Sequence, residues 1–207
     1  MLLTATACLL GFANGMRHAL EPDHLAAVST LVAGKRSATA SVRYAAAWGA
    51  GHGAMLVVAG GALALLRTKL PELASDGLEL VVAVVLIGLG VRGIAQAAHS
   101  HTHTLGSETF TRLPFLVGLV HGLAGSGALA AIVIAQLASP AFALGFIAIY
   151  AVGAAVGMAT LAGVLGWPLA RLARAPRIVP VLVGLSAAAS LIVGIAWATP
   201  ILLRLAA

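Results

Sequence analysis

Between the apolar runs MLLTATACLLGFANGM and LAAVSTLVAG the chain places RHALEPDH, residues 17–24, which brings an arginine, two histidines, a glutamate and an aspartate together. Imidazole nitrogens and carboxylate oxygens form a donor set suited to a divalent transition metal. A charged side chain at the centre of a bilayer costs at least about 2.5 to 3.5 kcal/mol on insertion scales, so groups kept there are retained for use. Their spacing sets a geometric problem. On an unbroken helix each residue advances about 100°, which turns Asp23 and His24 about 140° and 240° away from His18 and spreads the three around the rod. Pro22 removes the difficulty, because it lacks the N–H that the His18 carbonyl would accept and clashes with that carbonyl. The helix is therefore predicted to break, folding His18 at the end of one half-helix over Asp23 and His24 at the start of the next. Broken helices at membrane depth are tolerated where they line a cavity, and the carbonyl end of the first half favours a cation.

Further donors lie elsewhere. His52 in WGAGHGAM stands in an apolar stretch between two glycines, and with a metal cluster on the preceding helix it is read as a fourth ligand. His121 in HGLAGSGAL is read as lining the path from the other side on a glycine-loosened backbone, with Ser126 as a weak oxygen donor. Asn14, one turn before His18, faces the same cavity or makes a packing contact, packing being expected. Arg17 and Glu21 are four apart and are expected to pair with each other, which leaves Glu21 structural. In SHTHT, His99, His101 and His103 alternate, so an extended chain would present all three on one side as a loose metal collector. The plainer expectation is a solvated loop.

The elements that must position these residues belong to a membrane protein. Of 207 residues, 61% are hydrophobic and 9% charged, against roughly a quarter charged in an ordinary globular chain; mean hydropathy is +1.06. Six apolar segments of bilayer length are predicted, at about 8–33, 43–66, 77–97, 113–137, 141–166 and 178–204. The chain is read as all-α and as a single transmembrane domain over 1–207. MLLTATA lacks a basic n-region and is read as the start of the first helix. The net charge of +6 and pI near 10.8 do not point to nucleic acid, since the basic residues sit between apolar segments. Lys35, Arg36 and Arg43 lie in connection one, Arg92 and Arg112 flank connection three, and Arg171, Arg174 and Arg177 lie in connection five. Those odd connections are predicted to face the cytoplasm of a multi-pass protein of the cell (inner) membrane. Trp48, Trp167 and Trp197 are read as interfacial. Cys8 is the single cysteine, which excludes an internal disulfide and a thiolate cluster.

Setting the chain against itself at half its length places GMRHALEPDHLAAV, from Gly15, on GLVHGLAGSGALAA, from Gly118, pairing His18 with His121 and Asp23 with Ser126. A shift of one residue sets Gly49 and Gly53 on Gly153 and Gly157, and RGIA resembles VGIA. Repeat one is thus about 8–97, repeat two about 113–204, and 98–112 the histidine-containing connection. Three helices per half make the second copy inverted, a 3+3 inverted repeat common among secondary transporters. Gly11 and Gly15, and Gly118 and Gly122, are small-xxx-small pairs that let backbones approach.

RHALEPDHLAAV closely resembles the signature of the nickel/cobalt transporter family, and WGAGHGAMLVV is similar to that family's second glycine-histidine motif. The short length and HGLAGSGAL resemble its smaller relatives, the urease-accessory nickel permeases. The resemblance implies uptake of Ni²⁺ or Co²⁺ at the cell membrane, with His18, Asp23 and His24 as the central metal-handling residues. The chain departs from the larger family in having six helices rather than eight, and Glu-Pro before Asp23. The expected mechanism is alternating access, the repeats rocking about a fixed site, with no enzymatic reaction and no cofactor, the metal being cargo. The partners expected are the metal ion and the lipid bilayer; neither a metallochaperone nor a homo-oligomer can be read from the residues. Other classes weighed are a carrier of another small substrate such as an anion, held by Arg and His, and an intramembrane hydrolase. HALEPDH is not HExxH, and AGSG around Ser126 matches a rhomboid serine motif only superficially. A reporter tag in SHTHT should read out on the cytoplasmic side; labelling from outside intact cells overturns this topology.

Overall fold

The computed structural model describes residues 2–32, 37–99, 109–136, 139–172 and 178–206. Among these the chain is helical: α1 Leu2–His18, α2 Pro22–Val32, α3 Ala38–Met55, a π-helical turn Leu56–Gly60, α4 Gly61–Leu66, α5 Glu72–His99, α6 Thr109–Gln136, α7 Pro140–Leu172 and α8 Ile178–Leu205. Four described helices are long and apolar enough to cross a membrane: Ala38–Leu66, Glu72–Ala98, Pro140–Leu169 and Ile178–Leu205. The first predicted span is two shorter pieces. His101, His103, Lys35, Arg36, Arg174 and Arg177 lie outside the described residues, and His99 ends α5.

Several ends run past their predicted limits. α5 begins at Glu72 rather than near 77, because Pro71 offers its carbonyl to Ser75 and an acid in the first turn suits the positive end of the helix dipole. Asp76 on that turn holds Arg204 at the end of α8. α7 continues through Pro168, and Arg171 lies 3.7 Å over the Trp167 ring. The rod Ala38–Leu66 stops at Arg67, whose left-handed φ of 48° lets the Thr68 N–H reach the Leu63 carbonyl.

Glycine governs how closely the helices pack. A Cβ on Gly118 would strike the Trp48 carbonyl, one on Gly122 the His52 carbonyl, and one on Gly51 the Phe115 carbonyl, so α3 and α6 lie backbone against backbone. α1 and α7 meet the same way, Gly15 against Tyr150, Gly153 against Phe12 and Gly157 against Met16. Both pairs run parallel; α3 and α7 cross antiparallel, with Gly49 on Ala155 and Gly53 near Ala151, and α5 and α8 are antiparallel, with Gly90 on Ala187 and Gly194 on the Ala83 carbonyl. These contacts come in exchangeable sets. Gly118 with Trp48 matches Gly15 with Tyr150, and Phe115 with Gly51 matches Phe12 with Gly153. They preserve the correspondence of His18 with His121, but set Gly51 rather than Gly49 against Gly153, and Gly90 rather than Gly93 against Gly194. Sequence similarity slid those two registers because Gly and Ala recur at almost every turn, whereas the contacts need glycine only where a carbonyl arrives.

Gly122→Val should destabilise the fold by about 1 to 3 kcal/mol through overpacking, read as a lowered thermal midpoint in detergent. Gly77→Ala, at a position with nothing within 4 Å of the added atom, should leave it unchanged or slightly raised.

Candidate metal centre

At the end of α1 the chain tightens into a turn, with Leu20 N–H on the Arg17 carbonyl at 2.9 Å and Glu21 N–H on the His18 carbonyl at 3.0 Å. Pro22 then opens α2, where its missing N–H costs nothing and its fixed φ suits a first helical position. Asp23 and His24 fall in the first turn of α2, buried, with His18 directly before the break. The expected fold-back is present: the His18 and His24 rings lie 4.4 Å apart between centroids. Because the helix stops between them, Arg17 and Glu21 do not share a face. Glu21 instead accepts from His18 Nδ1 at 2.9 Å, which corrects the expected Arg17–Glu21 pair.

Two more helices complete the cluster. α3 brings in His52, fully buried, its Nε2 3.2 Å from His18 Nε2. α6 brings in His121, whose Nε2–H donates to Asp23 Oδ2 at 2.7 Å. The other carboxylate oxygen accepts from His24 Nδ1 at 2.9 Å. Asp23 therefore clamps two imidazoles, and His24 Nε2 is left buried without a partner, as is His52 Nδ1. One ligand atom each from His18, His24 and His52 lie within 4.8 Å of one another, and the same holds for Asp23, His24 and His121.

A cavity of about 490 Å³ reaches this cluster. Asn14 and Glu21 are on its wall, with Arg17, Glu79, Tyr150 and Trp197. Glu79 lies early in α5, Phe146 and Tyr150 early in α7, and Trp197 late in α8, so the cavity runs toward the side of connections two and four. On the opposite side the cluster rests on a packed apolar core of Val28, Val32, Trp48, Leu86 and Met158.

Some sequence expectations change here. α6 is a continuous helix through HGLAGSGAL, with no proline in that stretch to unwind it, and Gly122 serves close approach to the His52 carbonyl. Ser126 donates to the Leu123 carbonyl at 2.7 Å and is not on the cavity wall. Trp48 is not interfacial; it is 0% exposed, with ring centroids 5.4 Å from His24 and 5.5 Å from His121, and its indole N–H has no partner. Trp167 and Trp197 remain partly exposed. Tyr150, 5.6 Å from His18 between ring centroids, was missed by sequence reasoning. The sequence register, which sets Gly49 on Gly153, puts Val152 opposite Trp48; only the packing contacts put Tyr150 there.

No family model matches the chain, and no solved structure matches it. It is similar to the urease accessory protein UreH of Bacillus sp. (strain TB-90), 31% identical over 182 residues that cover 82% of this chain and 80% of the relative. With identity at that level running through four fifths of both chains, a helical protein with bilayer-length apolar spans and a buried histidine cluster, the chain belongs to the family of urease accessory protein UreH.

Proposed function

We propose that the chain is a permease for divalent transition-metal cations, Ni²⁺ first and Co²⁺ second, and that it takes them up across the cell membrane by alternating access. The observation that carries this is the convergence of His18, His24 and His52 at the floor of a cavity inside apolar helices. Imidazole nitrogens bound to one metal ion at about 2.0 to 2.1 Å lie about 3 Å from each other, and His18 and His52 already present Nε2 atoms at 3.2 Å. Two of the three rings are held by the far nitrogen. Glu21 fixes His18 through Nδ1 and Asp23 fixes His24 through Nδ1, which turns both Nε2 lone pairs toward the centre, as carboxylates behind metal-binding histidines do. Asp23 thus acts chiefly by orienting ligands and supplying negative charge.

The cavity wall carries the carboxylates Glu21, Asp23 and Glu79 against Arg17, a balance that favours a cation over an anion. The relative's name attaches it to urease, and the HALEPDH resemblance attaches the motif to nickel and cobalt carriers. Exchange of packing contacts between α1, α3, α5 and α6, α7, α8 supports a 3+3 inverted repeat with connections one, three and five cytoplasmic. The cavity then opens outward. The membrane potential would supply about 4.6 kcal/mol per 100 mV for a divalent ion entering the cell, twice the per-charge value.

His18→Ala and Asp23→Ala should each abolish Ni²⁺ uptake while the protein still inserts and elutes as wild type; unchanged uptake sinks this site. Binding needs bare imidazole nitrogens, so Ni²⁺ affinity measured by calorimetry should fall in acid. In a competition assay Co²⁺ should inhibit Ni²⁺ uptake and Mg²⁺ should not, the latter preferring oxygen ligands.

A further inference from the structure

We propose that the ion passes between two overlapping sites, and that His121 is the ligand that receives it at the second, formed with Asp23 and His24; this rests on reading the chain as a metal permease. The ligand atoms of Asp23, His24 and His121 lie within 4.8 Å of one another, as do those of His18, His24 and His52. His24 belongs to both groups, so a single ion occupies one site or the other. The two groups also differ in surroundings. His18 faces Tyr150 on the wall of the open cavity, at 5.6 Å between ring centroids. His121 also reaches the cavity wall, but its ring packs at 5.5 Å on Trp48, which is fully buried and off that wall.

These are corresponding pairs. The Tyr150 carbonyl packs on Gly15 as the Trp48 carbonyl packs on Gly118, which sets His18 with Tyr150 on one side of His24 and His121 with Trp48 on the other. The Tyr150 side is open and the Trp48 side closed. The closed side holds the indole N–H buried without an acceptor, a cost of about 1 to 3 kcal/mol that opening toward water would relieve. When the ion moves, it takes the place of the hydrogen between His121 Nε2 and Asp23 Oδ2. That hydrogen shifts to His121 Nδ1, so the ring stays neutral, and Asp23 changes from acceptor to ligand. The anionic carboxylate makes the second site the more attractive to a dication once the first aromatic closes.

His121→Gln separates a ligand from a structural prop, because the amide N–H can still donate to Asp23 but the imidazole is gone. With the full-length protein in proteoliposomes, the variant should bind one Ni²⁺ with Kd within about threefold of wild type, while uptake falls at least about tenfold. His121→Asn, a shorter donor, should behave alike and serves if the Gln variant does not fold. Wild-type uptake by a folded variant overturns the second site, and so does loss of Ni²⁺ binding, which makes His121 part of one site. A wild-type protein that binds no Ni²⁺ overturns the permease reading and this proposal with it.

Discussion

The structure depends on one missing backbone hydrogen bond. Pro22 cannot donate to His18, the helix turns at Ala19 and Leu20, and residues that an unbroken rod would scatter are stacked instead. Everything polar at the core follows from that turn. A carboxylate buried in apolar surroundings is costly unless its oxygens are filled, and Asp23 fills both, with His24 from its own helix and His121 from another. The pairing leaves imidazole nitrogens bare in a place where no neighbouring group takes them up, and that is the condition a metal cation relieves.

Much of the cluster was legible in the residues. A proline after HALE, a histidine flanked by glycines and an echo of the motif at His121 are local signals, and the structure brings these side chains together, His121 on a continuous helix rather than a loosened one. What could not be read was which nitrogen does what. Asp23 reads as a ligand because the break at Pro22 gathers it with His18 and His24; only three-dimensional contact with α6 reveals that both of its oxygens are engaged by histidines. Arg17 and Glu21 looked paired because the i,i+4 rule assumes a helix that the adjacent proline ends. Trp48 looked interfacial because tryptophan usually is at a segment end, whereas its depth depends on Gly118 admitting its backbone. The apolar spans were found by composition, but their ends moved by several residues wherever a cap or an ion pair, as at Asp76 and Arg204, extended a helix beyond its greasy part.

The two halves share corresponding glycine contacts and diverge in chemistry. Opposite Asp23 stands Ser126, which bonds within its own helix, and opposite His52 stands Ala154 in the apolar core. The donors are therefore concentrated in the first half, and the second contributes His121 and the walls. Glycine contacts can hold both halves in shape while most of the expensive groups stand in the first, which confines the buried carboxylate to a single place.

The glycine contacts have a mechanical consequence. α3 is seated on α6, and α1 on α7, with carbonyls pressed where side chains would otherwise stand; neither pair can slide without a collision. Each of these stiff couples takes one helix from either half of the sequence. The interface between the couples is the small-residue crossing of Gly49 with Ala155 and Gly53 with Ala151, where the nearest atoms stand 3.0 and 3.3 Å from an added Cβ rather than colliding with it. Any motion that keeps these contacts would have to pivot at that crossing, and the levers turning about it would be composites of the two halves rather than the halves themselves.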